Sequence, residues 1–251
     1  MRHDEIVRRL GEIHDGGTKV LFAVESGSRA WGFASPDSDY DVRFVYKHDV
    51  DWYLGLSERR RETIEVSDGD LDMVGWDLRK YLRLMRKSNP SVMEWLQCPR
   101  YVVWSGLAMG RLERLAERCF SARSLAFHYA GMARENDHEF LRIKEPRLKK
   151  YLYVVRALLS ADWVIRYDEM PPTMFPDLID STMCPFPRDA VEDVLARKLE
   201  SGESEPYGHV NELDEWIPGK LANVMEMAEC LPRRDPVPWE DIDEVFLSLL
   251  R

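Results

Sequence analysis

The chain has 251 residues, a length that can bury a sizeable core as either one large domain or two small ones. Its formal net charge of -10 disfavours a general nucleic-acid coat protein, because non-specific binding depends mainly on cationic contacts with phosphates. No apolar run is long enough to cross a membrane and no basic-then-apolar leader is visible, so we expect a cytoplasmic location and no membrane partner. The four cysteines lack the spacing of zinc ligands and are expected to be buried free thiols.

The first predicted elements are a helix, a strand and a tight turn. Ile6, Leu10 and Ile13 recur at the spacing of an amphipathic helix. Residues 20–24 form a β-rich apolar run that ends abruptly at Gly27-Ser28, as a buried strand does when it enters a turn. Glycine would let backbone amides approach an anion and serine would add a hydroxyl donor, so this turn is a candidate phosphate cradle. The alternative is an ordinary turn without a ligand.

Two aspartates mark the start of the next strand. Asp39 and Asp41 lie two residues apart, directly before the apolar run 42–46. A strand points alternate side chains to one face, so both carboxylates are expected on the same face, with Tyr40 and Val42 toward the core. Like charges held this close repel, and a divalent cation, most often Mg²⁺, would resolve the repulsion. The alternative is a solvated acidic edge, but the upstream Gly-Ser turn favours the metal.

A two-metal site for phosphoryl transfer normally needs one more carboxylate. Asp72 is favoured, because residues 69–74 alternate polar and apolar side chains and could form a strand beside the first acidic strand. Glu65 remains the alternative, because its segment could pair with the Asp72 strand through a turn at 67–69. Asp77 is predicted to begin the following helix, where a carboxylate faces unpaired amides.

The second part of the chain is predicted to be mainly helical. A helix is predicted over 76–87 and another from Asn89-Pro90, and residues 101–104 are a candidate last strand. Helical periodicity dominates from Gly106 onward, so we place a domain boundary between residues 105 and 106. Breaks in the helical part are predicted at 170–187, 199–208 and 231–238.

A basic stretch at residues 142–150 stands out against the acidic chain, and Arg156 lies seven positions after Lys149 on one helical stripe. The functional interpretation is a helix that closes over the nucleotide, with Lys149 and Arg156 meeting phosphate oxygens and Tyr153 offering a stacking surface. The alternatives are an ordinary solvated helix start after Pro146 and a core position for Tyr153.

The order of a Gly-Ser turn, an Asp-x-Asp strand and a later lone acid resembles the signature of the DNA polymerase β-like nucleotidyltransferase superfamily. More specific motifs stand at residues 25–33, 35–43, 75–80, 88–90 and 94–96. Over roughly the first hundred residues they are similar to the RNA repair pathway DNA polymerase β family, RlaP. This resemblance implies an α+β fold, with a nucleotidyltransferase core of mixed sheet and flanking helices in residues 1–105. A mainly helical nucleotide- or acceptor-binding domain would follow in residues 106–251.

The resemblance also implies the reaction. An acceptor hydroxyl would attack the α-phosphorus of a nucleoside triphosphate, and pyrophosphate would leave. Asp39, Asp41 and Asp72 would be the catalytic acids and would hold two Mg²⁺ ions, for which Mn²⁺ could substitute. The nucleotide-binding candidates are Gly27, Ser28, Arg29, Lys149 and Arg156.

The acceptor stays open at this point. The resemblance implies an RNA end, whereas the same core in relatives modifies small molecules or protein hydroxyls, and a fold does not settle function. Two other interpretations remain: an antitoxin-type, protein-modifying enzyme with a partner encoded elsewhere, and a nucleotide-binding regulatory module without turnover.

Overall fold

The structure is a computed structural model that describes residues 2–56, 61–200 and 208–251. Most of the break predicted at 199–208 therefore lies outside the described residues. The chain divides into two compact units, the first formed by Met1–Ala30, Asp39–Phe120 and Asp235–Arg251, the second by Trp31–Ser38 and Ser121–Arg234. The domain boundary between residues 105 and 106 stays a prediction.

The strands are β1 (Lys19–Ser26), β2 (Tyr40–Lys47), β3 (Thr63–Asp68), β4 (Leu71–Asp77) and β5 (Arg100–Val103). The helices are α1 (Arg2–Asp15), α2 (Gly27–Trp31), α3 (Val50–Leu54), α4 (Leu78–Met85), α5 (Pro90–Gln97), α6 (Gly106–Cys119), α7 (Ala122–Asn136), α8 (Leu148–Tyr167), α9 (Phe175–Ser181), α10 (Arg188–Glu200), α11 (Asn211–Cys230) and α12 (Trp239–Leu250). A π-helical turn, Asp137–Leu141, follows α7.

The strands of the first unit form one mixed sheet in the order β3-β4-β2-β1-β5. Strand β1 pairs antiparallel with β2 and β5, β3 and β4 form an antiparallel hairpin, and β2 runs parallel to β4. The predicted α+β fold, with a mixed sheet and flanking helices, is therefore confirmed. The strands predicted at 20–24, 42–46 and 101–104 are also present.

The two faces of β2 carry different side chains. Val42 and Phe44 are fully buried and pack with Ile6 of α1 in the core of the first unit. Because side chains alternate along a strand, Asp41 and Arg43 point to the opposite face. The amphipathic helix α1 thus covers one face of the sheet, and the acidic residues occur on the other.

Strand β4 passes directly into α4 at Asp77. The Asp77 carboxylate accepts hydrogen bonds from the Arg79 backbone amide at 2.8 Å and from the Tyr53 hydroxyl at 2.7 Å. The predicted helix-capping role of Asp77 is confirmed. The helix itself begins at Leu78 rather than at Trp76, because β4 continues through Asp77.

The second unit has its own core, built around α8. Val154, Val155, Leu158 and Leu159 are fully buried there. Tyr153 is partly buried against the same core, so it is neither fully buried nor an open platform. The helical character predicted after Gly106 is confirmed.

Two sequence-based expectations need correction. The proline-rich stretch 170–187 is not a continuous break, because it contains α9, whose Pro176 lies in the first turn, where proline is compatible with a helix. The expectation of buried cysteines holds for Cys98, Cys119 and Cys184, but Cys230 is exposed.

Across the described ranges, no helix is both long and apolar enough to cross a membrane.

Candidate active site

The predicted Gly-Ser turn is the point where β1 passes directly into the short helix α2, and Gly27 is the first residue of that helix. The Gly27 backbone has φ = +64°, a left-handed conformation that glycine adopts without the strain of a side chain. A Cβ atom at this position would overlap the side chain of Asp41, and the nearest atom would be Asp41 Oδ2. Ser28, the next residue, is buried. The Gly-Ser turn and the first acidic strand are therefore in direct contact, because residue 27 lacks a side chain.

The register of the parallel pair β2–β4 brings two carboxylates together. Asp41 is the register partner of Asp72, so their side chains project from adjacent strands on the same face of the sheet. Glu65 is paired with Val74 on the far side of β4 and is exposed. Asp72 therefore neighbours Asp41 directly, whereas Glu65 lies two strands from Asp41. This arrangement favours Asp72 as the third acid, and the assignment stays a prediction.

Arg43 bridges these two carboxylates. Its Nη2 atom lies 2.9 Å from Asp41 Oδ1 and 2.9 Å from Asp72 Oδ2. Its Nη1 atom donates to the backbone carbonyls of Val42 and Asp72, each at 3.1 Å. The side chains of Arg43, Asp41 and Asp72 are 19%, 24% and 43% exposed, so the cluster opens to solvent mainly on the Asp72 side.

The electrostatic surroundings of Asp41 reflect this cluster. Burial raises the pKa of Asp41 above its usual value, and the Arg43 charge opposes that effect. The neighbouring carboxylates of Asp72 and Asp39 raise the pKa further, since like charges disfavour ionisation. The charges of the neighbouring carboxylates thus act on Asp41, as expected where acids lie close together.

Asp39 lies one residue before β2 and is exposed. Because β2 begins at Tyr40, the alternation of side chains along a strand does not by itself place Asp39 on the same face as Asp41. Arg29 Nε donates a hydrogen bond to the Asp39 backbone carbonyl at 3.1 Å, and the Arg29 guanidinium lies 3.8 Å from the centre of the Tyr40 ring. This hydrogen bond ties Arg29 to the backbone at Asp39. Nucleotide binding by Arg29 stays a prediction.

Lys149 and Arg156 lie in the second unit, on α8. Lys149 is partly exposed, whereas Arg156 is only 3% exposed. The Arg156 guanidinium stacks 4.3 Å from the centre of the Trp31 ring, and Nη2 donates to the carbonyl of Thr173 at 3.4 Å. These contacts describe a residue packed into its own unit. Phosphate binding by Lys149 and Arg156 stays a prediction.

The acids of the first unit are suited to a hard divalent cation by their chemistry. Carboxylate oxygens are the ligands that Mg²⁺ prefers, and the glycine at position 27 lets the Asp41 carboxylate lie directly against the turn, where a side chain would overlap it. As they stand within the described ranges, however, no three His, Cys, Asp or Glu side chains are grouped closely enough to hold an ion. Arg43 lies between two of the acids instead. The residues fit the metal in kind, and binding it requires Arg43 and the acids to share or rearrange their contacts.

Arg43 is the residue at this site to which the sequence-based prediction gave no role. Its position two residues after Asp41, on the same face of the strand, is a signal that could have revealed it. Its contact with Asp72 depends on the parallel pairing of β2 and β4, which joins segments far apart in sequence.

A mixed five-stranded sheet that carries a Gly-Ser turn beside paired acids is the arrangement expected of a DNA polymerase β-like nucleotidyltransferase. More narrowly, the profile of RlaP, described as the RNA repair pathway DNA polymerase beta family, matches residues 2–248, and the chain belongs to that family. The match extends well beyond the motifs of the first hundred residues and spans the whole of the second unit.

Two relatives show the same similarity. The chain is 37% identical over 234 residues to YcgL of Bacillus subtilis (strain 168), described as an uncharacterized protein, and the alignment covers 92% of this chain and 90% of that protein. It is 26% identical over 140 residues to the uncharacterized protein MJ0002 of Methanocaldococcus jannaschii, with 55% of this chain and 56% of that protein covered. Neither name states a substrate, so the reaction and its acceptor are matters for proposal.

Proposed function

We propose that this protein is a nucleotidyltransferase that moves a nucleoside monophosphate from a nucleoside triphosphate to an acceptor hydroxyl. The observation that best supports this proposal is the register pair of Asp41 and Asp72 on adjacent parallel strands, with the Asp41 carboxylate against the Gly27 turn. A turn that can accept an anion beside paired acids that can accept a cation suits a metal-bound triphosphate.

In the proposed reaction the acceptor oxygen forms a bond to the α-phosphorus, and the bond from that phosphorus to the bridging oxygen of the leaving pyrophosphate breaks. The hydroxyl proton is released to solvent. Two Mg²⁺ ions, or Mn²⁺ in their place, would neutralise phosphate charge and lower the pKa of the acceptor hydroxyl. Asp39, Asp41 and Asp72 would hold these ions, while Gly27 and Ser28 would orient the triphosphate. Positioning and charge neutralisation can supply most of the rate enhancement, so no histidine base is required.

We propose an RNA end as the acceptor. The support is the family description, which names an RNA repair pathway. The formal charge of -10 means that RNA contacts would be local rather than spread over the surface. A small-molecule or protein hydroxyl is the competing acceptor class.

The test incubates the purified full chain with each α-labelled nucleoside triphosphate, with Mg²⁺ or Mn²⁺. Acceptors are offered separately: RNA with defined ends, a set of small hydroxyl compounds, and cell proteins. We expect label on RNA and none with the Asp41→Asn variant. Label on proteins or small compounds would move the proposal to that acceptor class. Absence of label and of pyrophosphate release with every nucleotide, metal and acceptor would reject the proposed function.

A further inference from the structure

Arg43 stands out because it contacts both Asp41 and Asp72, although the proposed reaction does not use it. A single nitrogen, Nη2, lies 2.9 Å from both Asp41 Oδ1 and Asp72 Oδ2. The other terminal nitrogen is anchored to the carbonyls of Val42 and Asp72. An arginine in this position carries its full charge at any physiological pH. The acid pair therefore has a permanent counter-charge built into the same sheet.

The contact with Arg43 divides each carboxylate into two different oxygens. Asp41 turns Oδ1 to Arg43, whereas its Oδ2 is the atom that a side chain at position 27 would meet first. Asp72 turns Oδ2 to Arg43, which leaves Oδ1 without that contact. Arg43 thus fixes the orientation of both acids, and one oxygen of Asp41 faces the Gly27 turn.

The same contact has an electrostatic consequence. A divalent cation that approaches Asp41 and Asp72 meets two negative charges and also the positive charge that already lies between them. Arg43 must therefore weaken the attraction of the acid pair for a bare cation. The cation and the Arg43 guanidinium would both lie close to the same partly buried carboxylates and would repel each other. A bound triphosphate would offset this repulsion, because it adds several negative charges beside the acid pair.

We propose that Arg43 is a positioning residue that keeps the affinity of the bare acid pair for a divalent cation low and makes strong metal binding depend on the triphosphate. This inference rests on the proposed function, because it assumes that Asp41 and Asp72 bind the metal. Coupling between two ligands is reciprocal, so the factor by which nucleotide strengthens metal binding must equal the factor by which metal strengthens nucleotide binding.

The first measurement is the dissociation constant of Mn²⁺ without nucleotide, from the electron paramagnetic resonance signal of free Mn²⁺. Arg43→Met removes the charge, and Arg43→Lys keeps it while losing the planar fork. The matched control is Arg9→Met, because Arg9 also bridges two carboxylates, Glu5 and Asp68, and is 21% exposed. Each variant is checked for folding by thermal melting, and Arg43→Gln replaces Arg43→Met if the latter does not fold.

The second measurement is the affinity for the α,β-methylene analogue of ATP, by calorimetry with and without Mn²⁺. For Arg43→Met we expect Mn²⁺ alone to bind about tenfold more tightly or better than in wild type, because a unit charge next to the ligands is lost. The benefit of Mn²⁺ to analogue binding should shrink by a similar factor. Arg43→Lys and Arg9→Met should stay within about threefold of wild type for Mn²⁺ alone. In transfer assays kcat should fall for both Arg43 variants, because the acids lose their fixed orientation, even where metal binds more tightly.

The outcomes separate this inference from the proposed function. Equal or weaker Mn²⁺ binding by the charge-free Arg43 variants, in a protein whose transfer activity still depends on Asp41, would overturn the role of Arg43 and leave the function standing. If wild type shows no transfer, and Asp41→Asn leaves both Mn²⁺ binding and its effect on the analogue unchanged, the metal site itself is wrong and both proposals fall.

Discussion

The carboxylate of Asp41 lies so close to Gly27 that any side chain at position 27 would overlap it. This contact joins the turn that follows β1 to the strand that carries the acids. Two independent observations explain why residue 27 is a glycine. The backbone there has a positive φ, and the Asp41 carboxylate occupies the space that a side chain would need.

The first prediction concerns this contact. Gly27→Ala should destabilise the protein by more than about 1 kcal/mol, because alanine is strained at positive φ. It should also lower turnover further than the strain explains, since the new methyl group displaces the Asp41 carboxylate. Gly69→Ala is the control, because Gly69 has a similar φ of +62° but open space around it. Chemical denaturation and transfer assays measure both effects. Equal losses of activity in the two variants would show that the Asp41 contact has no catalytic importance.

The second prediction concerns Asp39 and Asp41, at the start of β2. Asp39→Ala and Asp41→Ala should each abolish detectable transfer and leave the fold intact, because each removes a carboxylate proposed to bind metal. Asp68→Asn provides the control, since Asp68 is an exposed carboxylate that pairs with Arg9 and has no proposed metal role. Near wild-type turnover in either alanine variant would contradict the metal assignment. Removing a repelled carboxylate can raise stability, so the melting temperature in chelator should not fall for Asp41→Ala.

A third prediction separates Asp72 from Glu65. Asp72 is the register partner of Asp41, and Glu65 lies one strand further away, so Asp72→Asn should lower kcat about a hundredfold or more. Glu65→Gln should stay within about threefold of wild type, as expected of an exposed residue outside the cluster. Nucleotide affinity measured without metal should change little in Asp72→Asn, because the loss falls on the chemical step. The reverse ranking of the two variants would transfer the role to Glu65.

Local sequence patterns predicted the parts of this fold that depend on local physics. The strand at 20–24 follows from its run of apolar residues, and the helix cap at Asp77 follows from capping chemistry. The start of α5 at Pro90 follows from the fixed backbone geometry of proline. The misjudged stretch 170–187 shows the limit, because proline ends some helices and begins others. Without a view of the packing, the sequence cannot distinguish the two cases there.

The features that escaped prediction depend on long-range pairing. Arg43 meets Asp72 only because β2 and β4 are parallel neighbours, a register that no short window of sequence encodes. Arg156 was placed on the correct helix, but its burial against Trp31 joins residues more than one hundred positions apart. The Gly-Ser turn and the acids were recognisable from their spacing, whereas the charge that links the acids was not.

The fourth prediction refines the basic helix. Lys149→Glu should weaken triphosphate binding more than nucleoside binding, and the wild-type affinity should fall with added salt. Lys144→Glu is the control, because Lys144 is an exposed member of the same basic stretch. Arg156 is a poorer probe of phosphate binding. The residue is only 3% exposed and its guanidinium stacks on Trp31, so reversing its charge should destabilise the second unit. If both lysine variants bind triphosphate as wild type does, Lys149 is a surface residue without this role.

The last prediction uses the buried carboxylate of Asp77. Burial raises the pKa of Asp77 above its usual value, even though the hydrogen bonds from the Tyr53 hydroxyl and the Arg79 amide act in the opposite direction. A folded-state pKa above the unfolded value means that the folded protein holds this proton more tightly. The associated stability is therefore present at low pH and lost as pH rises through the folded pKa.

The free energy of unfolding of wild type, relative to Asp77→Asn, should accordingly decline as pH rises from about 4 toward neutrality. The asparagine side chain in this variant keeps a carbonyl acceptor for the Arg79 amide but does not titrate. Asp68→Asn should show the opposite trend, because the Arg9 hydrogen bond lowers the pKa of Asp68 and its contribution is lost as pH falls. Urea denaturation at a series of pH values measures both differences. A flat difference for Asp77→Asn, alongside a sloping one for Asp68→Asn, would show that the Asp77 carboxylate titrates as it does in the unfolded chain.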